Sequence, residues 1–428
     1  MSQGALPGFR DFYPEQMAER NYLMKVWRDV AARYGFVEYD GPPLEPLDLY
    51  KKKSGDEIVG QLYTFTDKGD REVALRPEMT PTLARMVAAK ANALRKPVRW
   101  FSIPQLFRYE RQQKGRLREH FQLNVDIVGE ISAAADAELL AVAIDVMRGV
   151  GLTAADVRAR VSDRRLLAAV LLVSGVAEDE LAGVYGAIDK MGREPRTVTE
   201  DKLRAAIGNP DASAKLVSTL ESFRDLDAIG SRFADSPDVL DQVERMREYL
   251  RFLAALGVGE WVDFDLSIVR GLAYYTGKVF ELFDASGEFR AICGGGRYDD
   301  LLSTIGGVDM PALGFGMGDV VLSELLRARR LFPPPGRGTE YWVAAEDETM
   351  LADVMTVAGR LRAKDRSVEY ALRSQSLSRQ LKQAASAGVE SVVMLKRDDY
   401  SRGNVTVRTL SDGAERSMTF QSLLDSLR

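Results

Sequence analysis

The sequence predicts an α+β protein with a separate α/β unit at its C-terminal end, and three observations carry that expectation. Residues 107–129, FRYERQQKGRLREHFQLNVDIVG, read as two antiparallel strands around a polar, basic loop, Gln112 to Leu117, broken by Gly115. Residues 166–256 are helical and charged almost throughout and lie between strand-rich regions, as an inserted subdomain would. Residues 331–339, LFPPPGRGT, form a stiff linker, beyond which strands alternate with helices.

In chain order, residues 15–34 place Leu23, Trp27, Val30, Ala31 and Tyr34 on one helical face, and the run stops at Gly35. A short strand, Phe36 to Tyr39, is ended by Gly41-Pro42-Pro43, which cannot continue a ladder. Tyr63 to Thr66 and Glu72 to Leu75 flank Asp67-Lys68-Gly69-Asp70 as a hairpin that delivers Arg76-Pro77-Glu78. Thr80-Pro81-Thr82 then opens a helix to about Leu94. Glu78, between a strand end and a helix start, is placed either to hold an ammonium group or simply to cap the helix. A buried helix is expected over 133–150 and a strand over 157–161, with strands again at 261–266 and 277–283. Gly294-Gly295-Gly296 fits neither the Walker A nor the dinucleotide pattern; it reads as a place where backbone approaches a ligand or another strand. Residues 311–319 open a helix toward Leu326. In the tail, strands are expected at 341–345, 368–372 and 391–395, helices at 347–364 and 376–387, and a hairpin around Asp412-Gly413.

At 428 residues the chain is too long for one ordinary core. Its hydrophobic share of 46% and charged share of 28% are those of a globular protein. No apolar run reaches the roughly 18 residues a membrane span needs, and MSQGALPGFRDFYPEQ lacks the regions of a signal peptide, so a cytoplasmic location without membrane contact is expected. One cysteine, Cys293, excludes an internal disulfide, and with one histidine, His120, leaves too few soft ligands for zinc, so no metal site is expected. A Ser-His-Asp or Cys-His hydrolase would need His120 as its base, and no nucleophile elbow lies near it. The net charge of -5 argues against a basic nucleic-acid coat protein. Lys51-Lys52-Lys53, the loop Lys114 to Arg118, and Arg327, Arg329, Arg330 and Arg337 are local basic clusters that suit phosphate but read equally as solvated faces.

The segment 107–129 concentrates the chemistry. Arg108, Glu110, Arg111, Lys114, Arg116 and Arg118 precede Glu119, His120, Gln122 and Asp126 on the return strand. Guanidinium groups grip phosphate or carboxylate through paired hydrogen bonds, so this set suits an anionic ligand that also carries an amino group. A charged surface hairpin has the same composition.

Phe107-Arg108-Tyr109-Glu110 with its loop and return strand resembles motif 2 of the class II aminoacyl-tRNA synthetases; residues 15–43 look like motif 1 and residues 311–326 like motif 3. Arg76-Pro77-Glu78, Arg270-Gly271-Leu272 followed by Tyr274-Tyr275-Thr276-Gly277, and Gly294 to Asp299 resemble the amino-acid-recognition segments of histidyl-tRNA synthetases. The tail, with Arg373 to Leu377 and Lys382-Gln383-Ala384, is similar to that family's anticodon-binding domain. The resemblance implies a catalytic core over 1–330 with a six- or seven-stranded antiparallel sheet, the helical insertion at 166–256, and an anticodon-binding domain at 340–428. It also implies an obligate homodimer through motif 1, with L-histidine, tRNA(His) and ATP, Mg2+ being the counter-ion of the nucleotide.

By the same resemblance Arg108 and Arg270 act on the α-phosphate, and Glu78, Thr80, Gln122, Asp126, Arg270, Tyr274 and Tyr275 hold histidine. Arg108, Glu110, Arg116, His120, Phe121, Gly316 and Gly318 serve ATP. Four positions depart from the pattern: Val321 stands where the motif 3 arginine is usual, Ala273 where Asp is usual, Met79 where Gly is usual, and His120-Phe121 reverses the usual order. These departures leave open a second expectation, a non-catalytic paralogue acting as the histidine-sensing regulatory subunit of ATP phosphoribosyltransferase. Such paralogues generally lack the tail domain.

Overall fold

The computed structural model describes residues 4–427 apart from 55, 110–114, 116, 192–193, 271–273 and 335–337. The chain divides into two compact units, Met1–Phe332 and Pro333–Arg428.

The strands of the first unit are β1 (Val37–Glu38), β2 (Leu44–Pro46), β3 (Thr64–Thr66), β4 (Glu72–Leu75), β5 (Val98–Ser102), β6 (Gln105–Phe107), β7 (Glu119–Val128), β8 (Val157–Asp163), β9 (Val262–Phe264), β10 (Lys278–Asp284), β11 (Cys293–Arg297) and β12 (Ala312–Gly318). Nine of them form one sheet in the order β1-β5-β7-β12-β11-β10-β8-β9, with β6 also on β7, while β2, β4 and β3 make a small separate sheet. From β5 to β8 every neighbouring pair is antiparallel. The edge strands β1 and β9 are parallel to their neighbours. The sheet is thus wider than the resemblance implied, and antiparallel in its six central strands.

Alternation sorts the faces of this sheet. Leu123, Val125 and Ile127 of β7 point into one continuous apolar core with Leu23, Trp27 and Val30 of the helix Pro14–Arg33. The helix Ala133–Gly149 supplies Leu139, Leu140, Ile144 and Met147 to the same core and is buried on most sides. Each such side chain contributes roughly 1.5–3 kcal/mol of burial, which fixes the register of the strands beneath. The intervening residues Gln122, Asn124 and Asp126 therefore face the other way, where the helices Thr80–Lys90 and Leu301–Gly306 cover only one end of the sheet.

Between β8 and β9 run the helices Arg164–Val173, Leu181–Ile188, Arg196–Ala206, Pro210–Thr219, Leu226–Arg232 and Pro237–Ala255. The last buries Val239, Val243, Met246, Tyr249 and Leu253 at helical spacing. These side chains belong to the same core as the sheet, so the helical block and the sheet are packed as one body.

The second unit has β13 (Tyr341–Ala345), β14 (Val368–Tyr370), β15 (Ser391–Leu395), β16 (Asn404–Thr409) and β17 (Glu415–Thr419) in the order β14-β13-β15-β16-β17. The first three strands are parallel and the last two antiparallel additions. Helices Leu351–Arg362 and Leu377–Ser386 accompany them, and a closing helix Phe420–Ser426, not expected from the sequence, begins at the residue expected to end the hairpin. It starts where the Thr419 hydroxyl accepts a hydrogen bond from the Ser422 amide. Among the described residues no helix is long and apolar enough to cross a membrane.

Candidate active site

The glycine-rich stretches, read from the sequence as places of close backbone approach and not as strands, are the central strands β11 and β12. Their glycines form the floor of a site. Gly296 pairs with Gly314, which pairs with Asp126; Gly294 pairs with Gly316, which pairs with Asn124. A methyl group built on Gly314 would overlap the Asp126 carboxylate and come within 2.8 Å of the Tyr298 hydroxyl. One on Gly316 would overlap the Gln122 amide, and one on Gly294 the Arg270 guanidinium. Glycine is required here because functional side chains of the neighbouring segments lie flat on the sheet.

One wall is the segment Arg76-Pro77-Glu78. Arg76 is 5% exposed, and its Nη1 donates to Asp40 Oδ1 at 2.6 Å and to the Gly41 carbonyl at 2.8 Å, while Nε donates to the Gln105 carbonyl at 3.1 Å. Arg76 is thus a clamp between the loop after β1 and β6. Arg108 Nε in turn donates to the Pro77 carbonyl at 3.0 Å, which ties the segment to the β6–β7 hairpin. The following helix has Met79 as its N-cap, with no capping bond from that side chain. Thr80 is its first residue and is half-buried.

Arg270 forms the opposite wall. Its φ of 52° is left-handed, a conformation that costs a non-glycine residue about 1–3 kcal/mol and that clusters at functional sites. Its Nη1 lies 3.5 Å from Glu281 Oε1, and its guanidinium carbon is 5.6 Å from the Tyr275 ring centre. Burial opposes the charge, but Tyr275, Glu281 and Tyr274 together hold its pKa above the usual value. Its Nε is buried without a hydrogen-bond partner among the described residues.

Three tyrosines line the space between. The Tyr274 and Tyr275 rings are 4.7 Å apart, and Tyr298 meets Tyr274 edge-on at 6.1 Å. Burial first, then the Glu78 carboxylate, raises the Tyr274 hydroxyl pKa, while Arg270 and Arg108 pull it down, so this hydroxyl senses both walls. The Tyr298 hydroxyl donates to Asp126 Oδ1. Burial and then Asp126 raise its pKa well above the ordinary value.

The structure therefore gathers Glu78, Arg108, Gln122, Asp126, Arg270, Tyr274 and Tyr275 around the glycine floor. Gly316 belongs to that floor, and at its far end His120 Cδ2 lies 4.0 Å from where a Cβ on Gly318 would stand. Phe121 is a correction. On β7 it alternates with Gln122 to the other face, where its ring lies 6.1 Å from Phe12 and 4.8 Å from the Arg20 guanidinium, away from the face that carries Gln122 and Asp126. Glu110 and Arg116 lie outside the described residues. Arg270 and Glu281 also line a cavity of about 1210 Å³, together with Arg158, Arg160, Arg224 and Arg290. Among the described residues no group of three or more His, Cys, Asp and Glu is placed to hold a metal ion.

Near Val321, on the helix Asp319–Arg329, two arginines arrive from other segments. Arg10 pairs with Glu119 at 2.6 Å and with Asp319 at 2.9 Å, and is committed to those carboxylates. Arg290 is exposed at the cavity; its Cδ lies 3.9 Å from the Cβ position of Gly115, which is itself 3.3 Å from Val321 Cγ2. Tyr298, Glu281, Arg10 and Arg290 were not singled out from the sequence. Tyr298 stood inside a quoted segment, and Glu281 could have been found from strand alternation; the two arginines gave no local signal.

Comparison with known proteins follows the same lines. A family model described as histidyl-tRNA synthetase matches residues 8–319, and one described as an anticodon-binding domain matches residues 339–428. A histidine–tRNA ligase of Opitutus terrae is 42% identical over 427 residues, covering 96% of this chain and 94% of that one. The chloroplastic/mitochondrial histidine–tRNA ligase of Arabidopsis thaliana is 42% identical over 414 residues, covering 95% and 83%. The crystal structure of histidyl-tRNA synthetase from Nostoc sp. shares the fold, with a TM-score of 0.82 at 22% identity over 100% of this chain and 99% of that one. So does an ATP phosphoribosyltransferase regulatory subunit/histidyl-tRNA synthetase from Bacillus halodurans, with a TM-score of 0.75 at 22% identity over 92% and 98%. From the family match over residues 8–319 and full-length relatives at 42% identity, the chain belongs to the histidyl-tRNA synthetase family.

Proposed function

We propose that the protein ligates L-histidine to tRNA(His) through a histidyl-adenylate, using ATP. The observation that carries this reading is the glycine-floored face on which a carboxylate set and two arginines meet three tyrosines. Glu78, Thr80, Gln122 and Asp126 hold the substrate ammonium, and Tyr274 and Tyr275 contact the imidazole. The histidine carboxylate attacks the α-phosphate of ATP and pyrophosphate leaves. Negative charge grows on the α-phosphate oxygens, and Arg108 and Arg270, fixed before reaction by Pro77 and Glu281, stabilise it without reorganisation. No side-chain nucleophile is needed. Mg2+ enters with the triphosphate as part of the substrate. On the nucleotide side, His120, Gly316, Gly318, Glu110 and Arg116 serve ATP, and Arg290 supplies the cation that Val321 does not.

The acyl group then passes to the terminal adenosine of tRNA, with residues 339–428 holding the anticodon. A purely histidine-sensing role has less in its favour, because a sensor has no use for that unit. Homodimerisation through residues 15–43 is supported by apolar exposure in that region and the small sheet beside it, Val37 at 63% and Phe65 at 52%. A cytoplasmic site of action fits this chemistry. Purified protein is expected to exchange labelled pyrophosphate into ATP only when histidine is present, and to charge tRNA(His). Histidine binding without exchange would leave only the sensing role.

A further inference from the structure

We propose that Arg297 is a positioning residue for the histidine pocket, aligning the tyrosines from beneath the sheet; this rests on the function proposed above. Arg297 ends β11, between Gly296 and Tyr298, which face the site, and so points to the opposite face. It is 3% exposed and its guanidinium is shared among four partners. Nε donates to Asp136 Oδ1 at 3.0 Å, Nη1 to the Glu130 carbonyl at 2.9 Å and to Asp299 Oδ1 at 3.2 Å, and Nη2 to the Ser132 carbonyl at 3.4 Å. These bonds fasten β11 to the start of the helix Ala133–Gly149, the most deeply buried helix of the core.

The same arginine reaches the strand that follows the other two tyrosines. Its carbonyl accepts the Thr276 amide at 2.8 Å, and its Cδ lies 3.1 Å from the Cβ position of Gly277, so its stem packs directly under that residue. Asp299, held by Arg297, accepts the Thr276 hydroxyl at 3.2 Å and gives its own amide to Thr276 Oγ1 at 3.1 Å. Tyr275 and Tyr298 are thus each adjacent in sequence to a residue that Arg297 or Asp299 holds. The Tyr298 hydroxyl reaches Asp126, so a shift of β11 by a few tenths of an ångström moves the group that meets the amino acid. Arg297 touches no substrate. It sets where Tyr298 and Tyr275 stand relative to the glycine floor. Arg108 and the hairpin hold ATP from β6 and β7, which lie beyond β12 from β11, so the tie acts first on the histidine side.

Arg297→Met, which keeps the length of the stem and removes the fork, is expected to raise KM for histidine about tenfold in pyrophosphate exchange, as for one lost charge-assisted hydrogen bond, with KM for ATP changed less than about twofold. Histidine binding followed by calorimetry without ATP should weaken by the same factor. Arg297→Lys, which keeps one ion pair but cannot bridge four partners, should fall between. Should Arg297→Met not fold, Asp299→Asn, on the partly exposed side of the tie, gives the same split at smaller amplitude. Equal shifts of both KM values, or unchanged histidine affinity, overturn the proposal. Wild-type protein that binds histidine without exchange sinks the ligase reading alone, because calorimetry still tests Arg297; wild-type protein that binds no histidine sinks both. The pH profile is a poor readout, since the substrate imidazole titrates near 6.5.

Discussion

Substituting one floor glycine should remove an arginine that the substitution does not touch. In Gly294→Ala the new methyl group occupies the place of the Arg270 guanidinium, which is the far end of a flexible side chain, so the side chain swings away and the strand stays. One preorganised donor to the transition-state charge is then lost, a deficit of about 10²–10³ in rate. Glu281, 3.5 Å from Arg270 Nη1 in the native protein, is left facing the incoming phosphates and adds repulsion. Stability is expected to change little. Alanine in a strand gains roughly 0.5–1 kcal/mol over glycine, and an off-rotamer arginine costs about 0.5–1.5 kcal/mol. The assay is histidine-dependent pyrophosphate exchange alongside a thermal melt. Arg270→Ala should lose a similar factor, and the double variant little more, because both single changes act through one group. Gly294→Ala at wild-type rate, or fully additive losses, would refute the reasoning.

Three further outcomes are expected. Arg290→Ala should raise KM for ATP about ten- to a hundredfold, the range of a charged hydrogen bond, with histidine unaffected, and Val321→Arg should restore it in the same chain; unchanged ATP affinity places the compensating cation elsewhere. Burial pushes the Asp136 carboxyl up from 3.8 to about 6, against Arg297 and Lys278, so the native state binds that proton more tightly than the unfolded chain. The stability from this group is present below about 3.8 and lost as pH rises through about 6. Asp136→Asn carries no such dependence and should therefore gain about 2 kcal/mol relative to wild type between about pH 4.5 and 7, read by melts at both values; equal differences at the two would contradict it. Protein ending at Phe332 should retain exchange and lose tRNA charging, and charging at the full rate would remove the tail from the reaction.

Elements with strong apolar periodicity were legible in the sequence. The strands at 341–345 and 391–395 and the helix beginning near residue 14 coincide with their expected limits, because alternation and helical spacing are local signals. The two central strands were not legible as strands. Gly294, Gly295, Gly296, Gly314 and Gly316 carry no side chains to alternate, and what makes them strands is pairing with β10 and, over a long sequence distance, with β7. The expectation that glycines admit close approach was sound; what approaches is Asp126, Gln122 and Arg270. Phe121 shows a rule available but unused, since Gln122 and Asp126 share a parity on the strand that Phe121 does not. Arg10 could not have been placed, because its partners are 109 and 309 residues away.

The shared core of the helical block and the sheet limits how this protein can be taken apart. A stretch bounded by two strands invites treatment as a removable module, to be deleted or exchanged between relatives. Here Val239, Val243, Met246, Tyr249 and Leu253 support the sheet from behind, and at roughly 1.5–3 kcal/mol each their loss matches the whole stability of a typical domain, about 5–15 kcal/mol. A chimera that exchanges residues 166–256 should unfold, and one cut between Leu181 and Arg232 fares no better, because Val184, Ile188, Leu203, Leu216, Phe223 and Ile229 are buried in the same core. Evolution is then left the exposed positions of these helices, such as Val198 and Leu240, to vary without disturbing the floor on which the chemistry takes place.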